Sequence, residues 1–134
     1  MSLGTRLLPK SYEAEAAIVK FRFVKPGATD KQKVIQGAAA TDDVIGISQG
    51  TRSAADVTAG KTNLAIDLVG ESDLEVGAVV VQGALLVSDA DGKGITAAPA
   101  TGVNNRYGAM ALEAGSADGA VIRVLVLQGS IQGA

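Results

Sequence analysis

The sequence predicts an all-β protein, either a β-sandwich or a jelly-roll-like small barrel, with an extended N-terminal arm. The aliphatic residues favour strands, since 15 Val and 8 Ile are β-branched against 11 Leu. Short apolar runs recur between turn residues, at the spacing of about 8 to 12 residues that is typical of sandwiches and barrels. Ala38–Ala40 and Ser53–Ala55 are too short to hold a helix, because helix nucleation is costly.

Residues 1–16 form the predicted arm, and residues 17–134 form the predicted β-domain. The arm shows neither the alternation of a strand nor the stripe of a helix. The first strand, Ala17–Val24, alternates clearly and ends at Pro26-Gly27. Its apolar face is predicted to carry Val19, Phe21 and Phe23, opposite Lys20 and Arg22.

The remaining strands are short apolar runs. They are Val34-Ile35, Val44–Ser48, Asn63–Val69, Ala78–Val81, Ala84–Ser88, Tyr107–Glu113 and Ala120–Gln128. Alternation predicts that Leu64, Ile66 and Leu68 face the core while Asn63 and Asp67 face solvent. In the last strand Ile122, Val124 and Val126 lie opposite Val121, Arg123, Leu125 and Leu127. No internal repeat of fixed period is visible, so no solenoid is predicted.

The composition argues against catalysis. Of 134 residues, 23 are Ala and 17 are Gly, only four are aromatic, and His, Cys and Trp are absent. The commonest general base, the thiolate nucleophile and the two best transition-metal ligands are therefore missing. We expect neither an enzyme nor a metal or cofactor site. The lack of cysteine excludes disulfides, and no signal peptide or membrane span is predicted.

The charge is small overall but unevenly distributed. The net charge is −2, and residues 1–33 carry seven basic and three acidic groups, so the remainder is −6. A chain with this balance has no electrostatic footprint for nucleic acid. Lys20-Phe21-Arg22-Phe23 interleaves charges and aromatic rings, but a base-stacking platform needs both on one face. The rings are therefore predicted to belong to the core.

Two loose nucleotide-binding patterns fail on their surroundings. The stretch from Ala55 to Thr62 fits the phosphate-binding loop, but a strand follows it, and Ser53–Ala59 before Gly60 is predicted to be a loop and not a buried strand. Gly92-x-Gly94-x-x-Ala97 fits the dinucleotide fingerprint, but Pro99 lies where a helix should continue. The first stretch is predicted to be a hairpin connection with a solvated lysine, and the second reflects the abundance of glycine.

Two groups of carboxylates have the spacing of ion ligands. Asp89-x-Asp91-x-Lys93-Gly94 begins like a calcium loop, but Lys93 replaces an oxygen ligand and Ala100 stands at the closing position. A charged β-turn is predicted there. The second group, Glu71, Asp73 and Glu75, shares one face of an extended segment. It is predicted to lie in a solvated connection around Gly70 and Gly77, with an ion site as the alternative.

Several segments follow one another in a recognisable order. They are Ala17–Gly27, Val44–Ser48, Gly83–Lys93, Gly108–Gly115 and Ile122–Val126. Each alone is only a strand or a turn. In this order, and with a composition rich in Ala and Gly and poor in aromatic residues, residues 17–127 resemble the capsid decoration, or cement, proteins of tailed bacteriophages and prophages, long known only as a domain of unknown function.

The resemblance implies a structural virion protein without catalytic residues. Such a protein is made in the host bacterial cytoplasm and binds the outer surface of an icosahedral head. There it bridges neighbouring major capsid proteins and stabilises the head against DNA pressure. The family also implies self-association, as a homodimer or homotrimer at local symmetry axes. No cofactor, nucleic acid or membrane partner is implied.

The arm is the predicted capsid contact, because it begins the basic part of the chain. It carries Arg6, Leu7, Leu8, Lys10 and Tyr12. The alternative is a terminus that contributes only charge. A second class of function, a carbohydrate- or host-surface-binding module on the virion, needs exposed aromatic side chains for sugar stacking. Tyr12 and Tyr107 are the candidates for that role.

Overall fold

The computed structural model describes the backbone of residues 6–134 and the side chains of residues 8–134. This part of the chain forms nine strands and one short helix. Their bounds are β1 Arg6–Glu13, β2 Phe23–Pro26, β3 Val34–Gln36, β4 Gly46–Ser48, α1 Ala54–Thr58, β5 Asn63–Glu75, β6 Leu85–Ser88, β7 Gly94–Thr96, β8 Asn104–Ala111 and β9 Val121–Gln132.

The strands form one curled antiparallel sheet with the order β3-β2-β4-β5-β9-β8-β6-β7, and β1 pairs with β5. The predicted all-β class and small-barrel architecture are confirmed. The longest strand, β5, organises the sheet, since β1 and β4 pair with its first half and β9 with its second. Gly70, with a φ of 97°, lies where the two halves meet.

Each half of β5 belongs to a ring of paired strands. We call the ring of β1, the first half of β5, β4, β2 and β3 the first barrel, and a bridge from Ala14 to Val34 returns it to its start. The second barrel consists of the second half of β5, β9, β8, β6 and β7. A bridge from Val76 to Gly94 closes it in the same way.

The two barrels are an internal structural repeat, contrary to the sequence-based expectation. Residues 11–26 and 73–88 follow the same course: three strand residues, a bridging residue, a bend, a second bridging residue, a two-residue turn and four strand residues. The hydrogen bonds agree, because Ala14 N–H donates to Thr62 at 2.9 Å and Val76 N–H donates to Ala120 at 2.8 Å. The second bridges, Ile18 to Arg52 and Val80 to Gly115, also correspond.

The repeat is hidden in the sequence for two reasons. In those sixteen positions only Glu13, Ala16 and Val19 are identical to their counterparts Glu75, Ala78 and Val81. The offset also changes along the chain. It is 62 residues for β2 and β6 (Phe23 and Leu85) but 63 for β4 and β8 (Ile47 and Met110), because the turns between the strands differ in length. A search for one fixed period therefore finds nothing.

The repeat also explains two strands that were predicted wrongly. Ala17–Val24 is not one strand, because Phe21 has a φ of 61° and turns the chain just before β2. Val19 is consequently 40% exposed while Phe23 is fully buried. The counterpart of Phe21 is Gly83, with a φ of 87°. In the predicted strand Ala78–Val81, only Val80 forms a bridge.

A short helix occurs where none was expected. Ser53 begins α1 as its N-cap: its side chain accepts the Asp56 N–H, and the Asp56 carboxylate accepts the Ser53 N–H. This capping box supports a helix that nucleation cost alone would disfavour. The stretch before Gly60 is therefore a helix and not a loop.

The polar positions of β5 also differ from the prediction. Asp67 was expected in solvent but is fully buried, and the Ser72 hydroxyl donates a hydrogen bond to it at 2.8 Å. Glu71, Asp73 and Glu75 lie on one face, as predicted, but within β5 and half-buried, not in a solvated connection. Pairing with β9 across Gly70 extends the strand beyond its predicted end.

The hydrophobic core has two clusters. The smaller cluster fills the first barrel with Ala14, Ile18, Val24, Val34, Leu64 and Ile66. The larger cluster fills the second barrel and also includes three residues of the first barrel, Phe23, Val44 and Ile47. The Phe23 ring packs against Gly108, where an added β-carbon would lie 2.8 Å from it. The first barrel is thereby fixed to the second.

Candidate interaction surface

The predicted arm residues lie on β1, at an edge of the first barrel. Arg6–Glu13 pair antiparallel with β5, and Arg6 and Leu7 are placed as strand positions only, since their side chains lie outside the described part. Leu8 is 49% exposed opposite Val69, which is 46% exposed. These two side chains form a small apolar patch at the edge of the sheet.

The outer edge of β1 presents backbone groups to the surroundings. Ala14 N–H donates to Thr62, so antiparallel alternation directs the backbone groups of Glu13, Ser11 and Pro9 away from β5. Pro9 has no N–H to leave unpaired at such a position, which is typical of proline on an edge strand. The edge is thus open near Ser11 and at the Glu13 N–H, and the bridge from Ala14 to Val34 occupies it just beyond.

A groove runs between β1 and the β2–β3 turn, and we call it the open groove. It is lined by Lys10, Ser11, Tyr12, Glu13, Asp30, Gln32, Lys33 and Asn63. The Lys10 ammonium lies 5.2 Å from the centre of the Tyr12 ring. The Thr62 hydroxyl donates to the Glu13 carboxylate at 3.1 Å. The groove therefore offers charges of both signs beside an open strand edge.

Glu15 holds the turn that forms the far wall of the open groove. Its carboxylate accepts the backbone N–H groups of Asp30 at 2.9 Å and Thr29 at 3.0 Å. These hydrogen bonds, first that of Asp30 and then that of Thr29, hold the pKa of Glu15 below its ordinary value of 4.5. The turn is thus anchored to the end of β1 while Glu15 is ionised.

The second barrel has an equivalent groove between Glu75 and the β6–β7 turn, and there it is filled. Glu75 N–H donates to the Phe21 carbonyl at 2.9 Å, and Phe23 N–H donates to the Gly92 carbonyl at 2.8 Å. The Arg22 guanidinium lies 3.3 Å from the Glu75 carboxylate and donates to the Asp91 carbonyl at 2.8 Å. We call this the inner contact, in which Phe21–Phe23 of the first barrel occupies the groove of the second.

Lys93 adds a second cation to the filled groove. Its ammonium lies 2.8 Å from the Asp118 carboxylate and 3.5 Å from that of Glu75. The hydrogen bond to Asp118, followed by its negative charge and that of Glu75, raises the pKa of Lys93 above 10.5. The β6–β7 turn is the charged turn that the sequence predicted, since the Asp89 carboxylate accepts the N–H groups of Asp91 and Lys93.

The two tyrosines are half-buried. Tyr12 packs against the core of the first barrel, and Tyr107 lies over Gly129 on the neighbouring strand. Neither presents a fully exposed ring for stacking a sugar.

Sequence reasoning missed the inner contact, although a signal was available. Glu13 and Glu75 are 62 residues apart, each three residues before an identical Ala and six before an identical Val. Arg22 and Phe23 were assigned to opposite faces of one strand, which hid their joint contact with the second barrel. Only the pairing scheme relates Arg22 and Phe23 to Ala84 and Leu85, whose residue types differ.

Within residues 6–134 no helix is long and apolar enough to cross a membrane. In the same part of the chain, no three acidic side chains are grouped as the ligands of a metal ion.

Solved structures of related shape are found among known proteins, and one of them is a phage protein. The crystal structure of the N base of the head fiber gp8.5 of bacteriophage phi29 matches with a TM-score of 0.64 and 11% sequence identity, covering 90% of this chain and 93% of that one. No protein-family model matches the sequence, and no curated protein matches it. At this identity the likeness establishes a shared fold.

Proposed function

We propose that this protein is a structural component of a tailed-bacteriophage virion that binds the outer surface of the head. The observation that carries the proposal is the fold shared with a phage head-fiber base over nearly the whole of both chains. The ordered resemblance of residues 17–127 to capsid decoration proteins supports the same role independently of shape. The proposal assigns no catalytic step and no cofactor to the chain.

The proposed partner is the major capsid protein, with neighbouring subunits bridged and the head reinforced. Decoration needs a compact body, and two barrels joined through the larger core cluster supply one. A head offers many equivalent sites, so modest single affinities are sufficient for stable coating when each particle makes several contacts. The exposed apolar pair Leu8 and Val69 is the proposed contact, since exposed apolar side chains at a sheet edge are suited to a protein–protein interface.

The test is co-sedimentation of the purified protein with undecorated, expanded heads of the phage that encodes it. We expect saturable binding, reduced at least tenfold by Leu8→Asp, which places a charge in the apolar patch. Val103→Asp is the matched control, because Val103 is 42% exposed at a site far from β1 along the sheet. Point variants are preferable to deleting residues 1–14, because that deletion removes β1 from the first barrel.

Two results would contradict the proposal. Absence of the wild-type protein from pelleted heads would exclude head binding. Equal loss of binding in both variants would exclude β1 as the contact while leaving head binding in place.

The matching structure also favours a second candidate, a base that carries a fiber on the head. The phi29 protein is described as the base of a head fiber, and this chain covers 93% of that structure. Electron microscopy of decorated heads distinguishes the two roles. A fiber base would show a projection at each occupied site, and a cement protein would show only a low surface feature.

A further inference from the structure

Each of the two sides of the inner contact has a structural counterpart in the other barrel. Within the described residues, these counterparts do not contact one another. The first barrel contributes Phe21–Phe23 to the inner contact, which we call the giving side. The second barrel contributes Glu75 and the β6–β7 turn, which we call the receiving side. The repeat relates the giving side to Gly83–Leu85 of the second barrel. It relates the receiving side to Glu13 and the β2–β3 turn of the first barrel.

The giving side of the second barrel is apolar and only partly covered. In the inner contact Phe23, Val44 and Ile47 are at most 5% exposed, because the second barrel buries them. Their counterparts are Leu85, Tyr107 and Met110, which are half-buried. The exposed Val79 and Val81, at 68% and 65%, lie just before the Gly83 turn.

The receiving side of the first barrel is the open groove. Glu13 N–H points away from β5, as does Glu75 N–H, which donates to Phe21. Lys33 occupies the place of Lys93, since Gly27 N–H donates to the Lys33 carbonyl as Asp89 N–H does to that of Lys93. The Glu13 N–H, the Glu13 carboxylate and Lys33 thus correspond to the groups that receive a turn in the second barrel.

The two halves of the chain carry net charges of opposite sign. Residues 1–62 carry nine basic and six acidic groups, whereas residues 63–134 carry three basic and eight acidic groups. Contact between unlike halves of two copies brings net +3 against net −5, while contact between like halves brings like charges together. Electrostatics therefore favours a head-to-tail arrangement.

We propose that a second copy of this chain occupies the open groove, docking its Gly83 turn and the adjacent Leu85 on β1 as Phe21–Phe23 docks on the second barrel. Such a heterologous contact propagates from copy to copy and ends when a ring closes. Ala84 stands where Arg22 does, so the contact lacks the ion pair to glutamate and is weaker than the inner contact. This inference does not depend on head binding.

Cysteine crosslinking tests the geometry, because the chain has no cysteine of its own. Glu13→Cys and Ala84→Cys are made as separate proteins, mixed, and treated with a short bis-maleimide. The mixture should give a crosslinked dimer, and each protein alone should give little. The double variant Arg22→Cys and Glu75→Cys is the positive control, because these side chains touch within one chain.

Sedimentation equilibrium on the unmodified protein is the second measurement. We expect a mass above the 13.4 kDa of one chain. Leu85→Asp should lower the association constant at least tenfold, because its counterpart Phe23 is fully buried in the inner contact, whereas Val103→Asp should leave it unchanged. This comparison remains informative if the cysteine variants fold poorly.

Three results would overturn the proposal. The first is a single-chain mass at all concentrations. The second is a crosslink of Glu13→Cys with itself in place of one with Ala84→Cys. The third is a crosslink from position 13 to a capsid protein on heads, with none between copies. Loss of head binding with self-association intact would contradict the proposed function alone.

Discussion

The first and second barrels follow one pairing scheme but differ in what covers equivalent positions. Glu75 is enclosed by Arg22 and Lys93 beneath the first barrel, whereas Glu13 faces the open groove. Phe23 is fully buried, whereas its counterpart Leu85 is half-buried. The backbone scheme is the same in both cases. The surroundings differ because, within residues 6–134, each barrel contacts the other on one side, which leaves a distinct surface at each end.

The largest expected effect compares the two apolar counterparts. Phe23→Ala should lower the free energy of unfolding by about 3 to 5 kcal/mol, since it removes a ring from the core that joins the barrels. Leu85→Ala should cost only about 1 to 2 kcal/mol, because its side chain is already partly in water. Urea denaturation measures both. Equal losses would show that the inner contact does not bury Phe23 more effectively than its counterpart.

The next largest effect on stability compares the two equivalent carboxylates, Glu75 and Glu13. Glu75→Gln should cost about 1 to 3 kcal/mol, because it leaves the mostly buried Arg22 guanidinium without its counter-charge. Glu13→Gln should change the free energy of unfolding by less than about 0.5 kcal/mol, as is usual for an exposed position. The same urea titration applies. A loss of stability for Glu13→Gln as large as that for Glu75→Gln would mean that Glu13 is enclosed by cationic partners as Glu75 is.

Substitutions at Gly83 measure how much a positive φ alone costs in stability. An added β-carbon meets no atom within 4 Å there, so Gly83→Ala should cost about 1 kcal/mol through the φ of 87° alone. Gly83→Asn should cost less, because asparagine adopts this conformation more readily. Thermal denaturation of the three proteins checks the order. A loss for Asn as large as that for Ala would contradict a purely conformational cause.

The smallest expected effect is on the pH dependence of stability. The pKa of Glu15 in the first barrel is lowered, whereas the pKa of Lys93 in the second barrel is raised. The lowered pKa of Glu15 means that its contribution is present above 4.5 and is lost as the pH falls through the folded-state pKa. The raised pKa of Lys93 means that its contribution is present below 10.5 and is lost as the pH rises through the folded-state pKa. Glu15→Gln should flatten only the acid limb of the stability profile, and Lys93→Met only the alkaline limb. A change in the opposite limb would contradict these assignments.

Local patterns predicted much of the sheet. The last strand is confirmed, with Ile122, Val124 and Val126 buried as its alternation requires, and the charged turn at Asp89 is confirmed as well. Both depend on neighbouring residues only, through the two-residue period of a strand and the hydrogen bonding of aspartate in turns.

The errors occur where distant segments decide the conformation. The alternating run Ala17–Val24 is interrupted at Phe21. This residue turns the chain between Ile18, which is held by its bridge to Arg52, and the start of β2. Asp67 is buried where β1 and β4 both pair with β5, and Ser72 supplies a hydrogen-bond partner. Neither influence lies within the window over which periodicity is read. Contact between the arm residues and the capsid stays a prediction. The structure places these residues on β1, at an open edge of the sheet.

The sequence by itself determined the strand-rich class, the single-sided strands, the turns and the absence of His and Cys chemistry, because these follow from residue types and short-range alternation. Only the tertiary structure decided that the chain is a duplicated barrel, that β5 serves both halves, and that Glu75 is enclosed while Glu13 is open. These features depend on backbone hydrogen bonds between segments about 50 to 60 residues apart, and every residue type except proline can donate and accept such bonds. The pairing that creates the two ends therefore leaves little trace in side-chain identity.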